Sequence, residues 1–349
     1  MSQNSRTSAA RRRRPKQWLA AFGATFGVVT LLSPFVIDAH ESIRFPYLDK
    51  LAVAYSRCEG TPIVAVGSSR TWGSFDVNLM NRLLAERLPG ERLAPFNAAV
   101  AAGGIHTQEK VLRRLLEVGP TPRLVLVEVA PEMLHVTGRW IKVTRDVTWS
   151  DLPEIWQDVI RAKGGAGVVE NRLLPIYATR FGLRRVAWQW AHDRLGISAE
   201  KLDPLEPDVP RLGDGDPGLM PPKPPATPEL LERQRRASPP PLRKYAANGV
   251  GARSLGRIVE LCESVGVPLM LVEAPSTTAF RQAQEPAQPA YRMFLAELMQ
   301  RHPGVRYCDF TATIPDAAFW DEHHVNAYGK HVVCRRLVDA IIPEALAVH

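Results

Sequence analysis

This sequence predicts an α/β fold, a parallel sheet of about five strands doubly wound by helices. Short apolar runs without polar alternation recur along the chain, as strands buried on both faces require. Between them lie longer stretches whose apolar residues repeat at helical spacing. At 349 residues the chain can bury a large core in one or two domains.

Ile63-Val64-Ala65-Val66 is the first strand. Leu79, Leu83, Leu84 and Leu88 form a helical stripe that ends at Pro89-Gly90. Leu93 to Asn97 reads as the second strand, and Leu112, Leu115 and Leu116 mark a helix stopped near Gly119-Pro120. Leu124-Val125-Leu126-Val127-Glu128-Val129 is the clearest strand of all. The rhythm then breaks. Ile155, Val159 and Ile160 suggest one amphipathic helix, and Val168 to Leu195 a further pair interrupted at Pro175. Pro204 to Pro241 holds twelve of the thirty prolines and reads as a loop or semi-rigid excursion. The pattern resumes with a helix face of Leu255, Ile258, Val259, Cys262 and Val265, then the strand Leu269-Met270-Leu271-Val272. A helix through Phe294, Leu295 and Leu298, a fifth strand from Val305 to Cys308, and a last helix carrying Val333, Leu337, Val338 and Ile341 complete it. Residues 136–245 therefore read as an insertion into the fold.

The net charge of +8 is mostly a tail: Arg6, Arg11, Arg12, Arg13, Arg14 and Lys16 supply six charges and leave +2 for the rest. A nearly neutral body offers no basic groove, and no nucleic-acid motif is present, so nucleic acid is not an expected partner. Trp18 to Ile37 carries no charge and is about the length that spans a bilayer. The expectation is a basic cytoplasmic tail over 1–17, a transmembrane anchor over 18–37, and an α/β domain over 38–349 outside the cytoplasm. A cleaved signal peptide is the rival. The length of the apolar run and the lack of an Ala-x-Ala site after it favour the anchor. The consecutive arginines invite a twin-arginine reading that the residues after them do not support. Cys58, Cys262, Cys308 and Cys334 are too scattered for a disulfide framework or a zinc site, and Cys262 and Cys334 fall on apolar helix faces. No metal or cofactor is expected.

Two stretches near opposite ends of the chain carry the chemistry. Gly67-Ser68-Ser69-Arg70 follows the first strand at its carboxyl end, where open α/β sheets place their sites. Far along the chain comes Asp321-Glu322-His323-His324-Val325-Asn326. Serine needs a base to take its proton at neutral pH, and imidazole has a suitable pKa. A carboxylate beside that ring fixes its tautomer and stabilises the imidazolium. Asp321 and His324, three residues apart, supply both within one turn. His323 competes for the role of base, but the Asp-x-x-His spacing selects His324. The bland reading, an ordinary turn and a solvated loop, stands for either motif alone and weakens when both fall at strand ends.

On these residues the chain resembles the SGNH (GDSL-like) hydrolase superfamily. Its members carry Gly-x-Ser after the first strand and Asp-x-x-His near the C-terminus, often continued as His-x-Asn-x-x-Gly. Here the continuation is His324-Val325-Asn326-Ala327-Tyr328-Gly329. The resemblance covers the two ends of the chain, and it implies a flavodoxin-like, three-layer α/β/α fold. By it Ser69 is the nucleophile, His324 the base and Asp321 its partner. Asn97-Ala98-Ala99-Val100-Ala101-Ala102-Gly103 is similar to the family's second block, Asn-x-x-x-x-Gly, whose glycine falls at Ala102. The backbone amides of Ser69, Ala102 and Gly103 are the oxyanion candidates. Arg70 and Asn97 are candidates for substrate binding, and a surface ion pair is the competing role for Arg70.

The third block departs from the family. Where Gly-x-Asn-Asp is usual, this chain has Glu128-Val129-Ala130-Pro131-Glu132. The departure is shared by SGNH-like proteins that acylate cell-surface polymers, such as the alginate O-acetylation proteins and the D-alanyl transfer protein of teichoic acid synthesis. Similarity to that branch implies an extracytoplasmic, membrane-anchored serine acyltransferase or esterase acting on O-acyl groups of a surface carbohydrate. It also implies a multispanning membrane acyltransferase as partner. Trp156, Tyr177, Trp188 and Trp190 can stack on sugar rings, and Arg172, Arg180, Arg184 and Arg185 can meet anionic polymer or headgroups. Amphipathic helices packing on the sheet are the plainer account of both sets. A noncatalytic assembly or polymer-binding protein is the alternative function, and a lipid-active esterase a third.

Overall fold

The computed structural model describes residues 23–28, 32, 46–101, 103–135, 151–161, 194, 227, 229 and 245–346. The tail over 1–17, most of the apolar stretch over 18–37 and nearly all of the insertion over 136–245 lie outside the described residues, as do Tyr177, Trp188, Trp190 and the four insertion arginines. Among the described residues no helix is long and apolar enough to cross a membrane. The chain divides into two units. Residues 47–143, 151–164 and 205–349 make the one that holds the sheet, and the other (1–46, 144–150 and 165–204) is almost wholly outside the described residues.

Strands β1 (Thr61–Val66), β2 (Leu93–Asn97), β3 (Leu124–Val129), β4 (Leu269–Glu273) and β5 (Val305–Asp309) form one parallel sheet in the order β2-β1-β3-β4-β5. That is a doubly wound order, with its switch point between β1 and β3. β3 is buried at all six positions, which explains its continuous apolar run. β2 is an edge strand and tolerates Pro95, which cannot donate to a ladder.

Alternation along the strands feeds two cores. Ile63, Ala65, Leu124, Leu126 and Met270 pack with Phe75, with Leu79, Met80, Leu83 and Leu84 of α3 (Val77–Arg87), and with Val333, Leu337, Val338 and Ile341 of the last helix, α10 (Ala327–Leu346). The other set, Val64, Val66, Val125, Val127 and Leu271, is buried as well. On that side α4 (Ile105–Val118) packs against α7 (Val250–Ser264) and touches β1 and β3. α1 (Pro46–Ser56) precedes the sheet and ends beside Tyr55, whose hydroxyl donates to the Pro120 carbonyl at 2.7 Å. Cys262 and Cys334 are core residues, and none of the four cysteines forms a disulfide.

Four helices are not expected from periodicity, α1 among them, which falls in what reads as a connector. α2 (Ser69–Ser74) and α8 (Thr278–Gln284) are too short to show a repeat, and α5 (Pro131–Leu134) is a single turn. The helix expected around Ile155 is α6 (Leu152–Arg161). Its Asp158 is buried and receives Arg253 of α7 at 2.7 Å, and Glu154 takes both Arg253 and Arg257. α9 (Gln288–Arg301) leads into β5.

The end of β4 holds a buried acid. Glu273 pairs in register with Asp309 and accepts a hydrogen bond from the Tyr307 hydroxyl. Burial, with the charges of Asp309 and Glu132, pushes its carboxyl up to about 7 against the hydrogen bond from Tyr307. A carboxyl raised in the folded state favours folding while protonated, and that benefit fades as pH climbs from about 4.5 toward 7. Glu273→Gln keeps an acceptor for Tyr307 but cannot ionise. Relative to wild type it is expected to gain stability, on the order of 3 kcal/mol, between pH 5 and pH 8. Urea unfolding at the two pH values measures this, and a gap that does not change with pH would refute it.

Candidate active site

β1 delivers its chain to the switch point of the sheet, and the next residues turn at once into α2. Ser68 is the N-cap of that helix, its hydroxyl accepting from the Arg70 amide at 3.2 Å. Ser69 is therefore the first helical residue, and its N–H has no intrahelical acceptor. Gly67 is required by crowding: a Cβ there would collide with Thr71 and come within 2.7 Å of a Glu128 carboxylate oxygen.

At the other end of the chain, Asp321 organises its own turn. Its Oδ1 accepts from the amides of His323 (2.9 Å) and His324 (2.7 Å), and its Oδ2 lies 2.6 Å from Nδ1 of His324. Burial works to raise this carboxyl, but the hydrogen bond and charge of His324 and the His323 amide hold it below its ordinary range. An ionised carboxylate can only accept, so Nδ1 carries the proton and Nε2 is left as an acceptor. Nε2 lies 2.8 Å from Oγ of Ser69. Trp320 stacks on the His324 ring at 5.0 Å and 12°. Asn326 then caps α10 through the Gly329 amide (3.1 Å) and donates to the Ala317 carbonyl (2.8 Å), and Gly329 itself leaves room for the Ala318 carbonyl. The His-x-Asn-x-x-Gly continuation is thus the start of a helix pinned to the turn before it.

The structure brings Ser69, His324 and Asp321 into one hydrogen-bonded chain. His323 stands aside, 4.3 Å from the His324 ring and 5.1 Å from Phe280, with a buried Nδ1 that has no partner among the described residues. Burial and the nearby charges of His324 and Arg70 push it down to about 3, so it is a neutral imidazole at physiological pH. Asp321, His323 and His324 also have ligand atoms within 4.8 Å of one another, as a metal would need. Two of the three are committed to the Ser69 chain.

The substrate and oxyanion candidates fare differently. Arg70 is buried and turned inward, its Nε 2.9 Å from Glu128 and its Nη2 2.8 Å from Glu132. Asn97 is buried too; its amide donates to the Phe75 carbonyl at 2.8 Å and its oxygen accepts from Ala99 N, tying β2 to the end of α2. The Gly103 amide donates to Val100 O at 2.8 Å. Ala102 lies outside the described residues.

The sequence places Glu128 in a strand and at the block where an asparagine is usual, but not among the expected site residues. Its carboxylate accepts from Ser68 N (2.7 Å), Ser68 Oγ (2.8 Å), Arg70 Nε (2.9 Å), Thr71 N (3.3 Å) and Thr71 Oγ1 (2.6 Å). Full burial would raise its pKa, yet the charge of Arg70 and the bonds from Thr71 and Ser68 hold it low and ionised. The clue in the sequence was an acid inside an otherwise apolar strand, since a buried charge requires partners.

No protein-family model and no curated protein matches the chain. Solved structures do resemble it weakly. One, assigned as an acylhydrolase of Bacteroides fragilis, is 10% identical with a TM-score of 0.38, over 84% of this chain and 95% of that one. Another, an alpha/beta hydrolase enzyme from the metagenome of Lake Arreo, is 12% identical with a TM-score of 0.36, over 84% and 99%. A gut microbial diltiazem-metabolizing enzyme is 10% identical with a TM-score of 0.34, over 74% of this chain and 39% of its own. Likeness at this level carries no weight for the function, which rests on the geometry of the chain itself.

Proposed function

We propose that this chain is a serine esterase or acyltransferase of SGNH type, with Ser69 as nucleophile, His324 as base and Asp321 as the orienting acid. The observation that carries the reading is the continuous chain from Ser69 Oγ through both ring nitrogens of His324 to Asp321. Ser69 Oγ attacks an ester carbonyl as its proton passes to Nε2. The tetrahedral intermediate collapses, the alkoxide leaves with that proton, and an acyl-serine remains. An acceptor hydroxyl, from water or a sugar, then gives its proton to Nε2 and takes the acyl group, which restores Ser69. The Ser69 amide at the start of α2 is the donor best placed for the oxyanion.

The SGNH resemblance and the uncharged stretch over 18–37 support an exported, membrane-anchored protein acting on acylated surface carbohydrate, supplied by a membrane acyltransferase. Transfer and hydrolysis differ only in the second acceptor. A noncatalytic binding role is favoured by one specific observation: Asn97 and Gly103, two expected contributors to the site, are spent on the protein's own backbone. Fluorophosphonate labelling of the purified protein separates the two readings. Labelling that Ser69→Ala removes is the expected result, and a folded wild-type protein that never labels would overturn the catalytic reading.

A further inference from the structure

We propose that Glu128 is the positioning residue of the serine, a buried carboxylate that holds the Ser68–Thr71 turn in the one conformation that aims Ser69 at His324. The inference rests on the catalytic reading above and adds what that reading lacks, a reason for the orientation of the nucleophile. The turn follows β1 and Glu128 lies in β3, so the two meet at the switch point, just beyond the last register pair of those strands, Val66 with Val127. Five donors from three of the four turn residues converge on the two oxygens of Glu128. The residue they skip is Ser69, whose hydroxyl alone is left to face His324. Such bonds to a charged acceptor are the stronger kind.

The same contacts explain why Gly67, Ser68, Arg70 and Thr71 accompany Ser69. Gly67 gives the carboxylate room, Ser68 and Thr71 each donate twice, and Arg70 supplies the countercharge. Arg70 is held from behind by Glu132, which in turn takes a hydrogen bond from Gln284 of α8. Glu128 touches none of the reacting atoms in this arrangement. Its effect passes through Ser69.

The test is the rate of fluorophosphonate labelling as a function of pH, read beside thermal unfolding. The variants are Glu128→Gln and the double change Ser68→Ala with Thr71→Val, which removes hydroxyl donors but keeps the Arg70–Glu128 pair. Expected in each is a fall in the plateau rate of about 10- to 100-fold, as small misplacements of a reacting group produce, with the shape of the pH profile unchanged. A merely structural role would lower the unfolding temperature and leave the rate of the folded protein untouched, and that result overturns the proposal. If Glu128→Gln does not fold, the double variant decides; if neither folds, Thr71→Val alone does. Wild-type labelling with equal labelling of the variants defeats this inference alone, whereas an unlabelled wild type defeats the catalytic reading and this one with it.

Discussion

Replacing His324 with alanine is expected to slow fluorophosphonate labelling of Ser69 by about 10²–10⁴-fold at pH 7, the usual contribution of a positioned general base. In the wild type, Nε2 lies 2.8 Å from Ser69 Oγ, and in the proposed reaction it takes that proton while Asp321 stabilises the imidazolium. Without the ring the hydroxyl must lose its proton to water, and its reactivity falls to that of an ordinary serine. The variant is expected to fold, because Asp321 still holds the amides of its turn. His323→Ala is the informative control, since that ring makes no bond to Ser69. A His324→Ala protein that labels at the wild-type rate would remove the triad from consideration.

Arg70→Met will cost about 3–5 kcal/mol of stability at neutral pH, the penalty for breaking a buried ion pair from one side. The guanidinium is 5% exposed and bridges Glu128 and Glu132. Methionine fills much of the space but leaves Glu128 charged and unpaired beneath the serine turn. With Arg70 in place the Glu128 carboxyl is depressed, so it supports folding above its ordinary range and loses that support as pH falls. Without Arg70 the burial is expected to outweigh the remaining bonds from Ser68 and Thr71 and raise the carboxyl, so that protonation relieves the unpaired charge. The deficit of the variant should therefore be largest near pH 7 and shrink toward pH 4.5, the opposite of a simple packing defect. Urea titrations at both values test it; a deficit that stays constant or grows in acid would contradict the account.

The sheet was legible because its strands are buried on both faces and therefore spell continuous apolar runs; all five stand where Ile63, Leu93, Leu124, Leu269 and Val305 announced them. The pairing of Ser69 with His324 was legible for a different reason. Asp321 and His324 are local to one turn and Gly67-Ser68-Ser69 sits at a strand end, and the SGNH resemblance of the two motifs is what implied their meeting across the fold. What spacing could not show was direction. Arg70 and Asn97 are polar residues beside a nucleophile, and the sequence offers them to substrate. The fold turns both inward, Arg70 because two acids wait behind it and Asn97 because the end of α2 leaves the Phe75 carbonyl to be satisfied. The role of Glu128 depends on β3 lying next to β1, a fact of strand order rather than of sequence.

The last helix does more than close the sheet. Cys334, near its middle, donates to the Ser74 carbonyl at 3.2 Å and accepts from the Asp76 amide, which fastens α10 to the far end of the serine helix. A ribosome making this chain releases the serine hundreds of residues ahead of its base. Through most of synthesis, and through any threading of the chain across a membrane, the nucleophile would be an ordinary hydroxyl on an unfinished sheet. On the proposed reading, reactivity would arrive only when the carboxyl-terminal segment docks, and the timing of activity would follow the completion of folding.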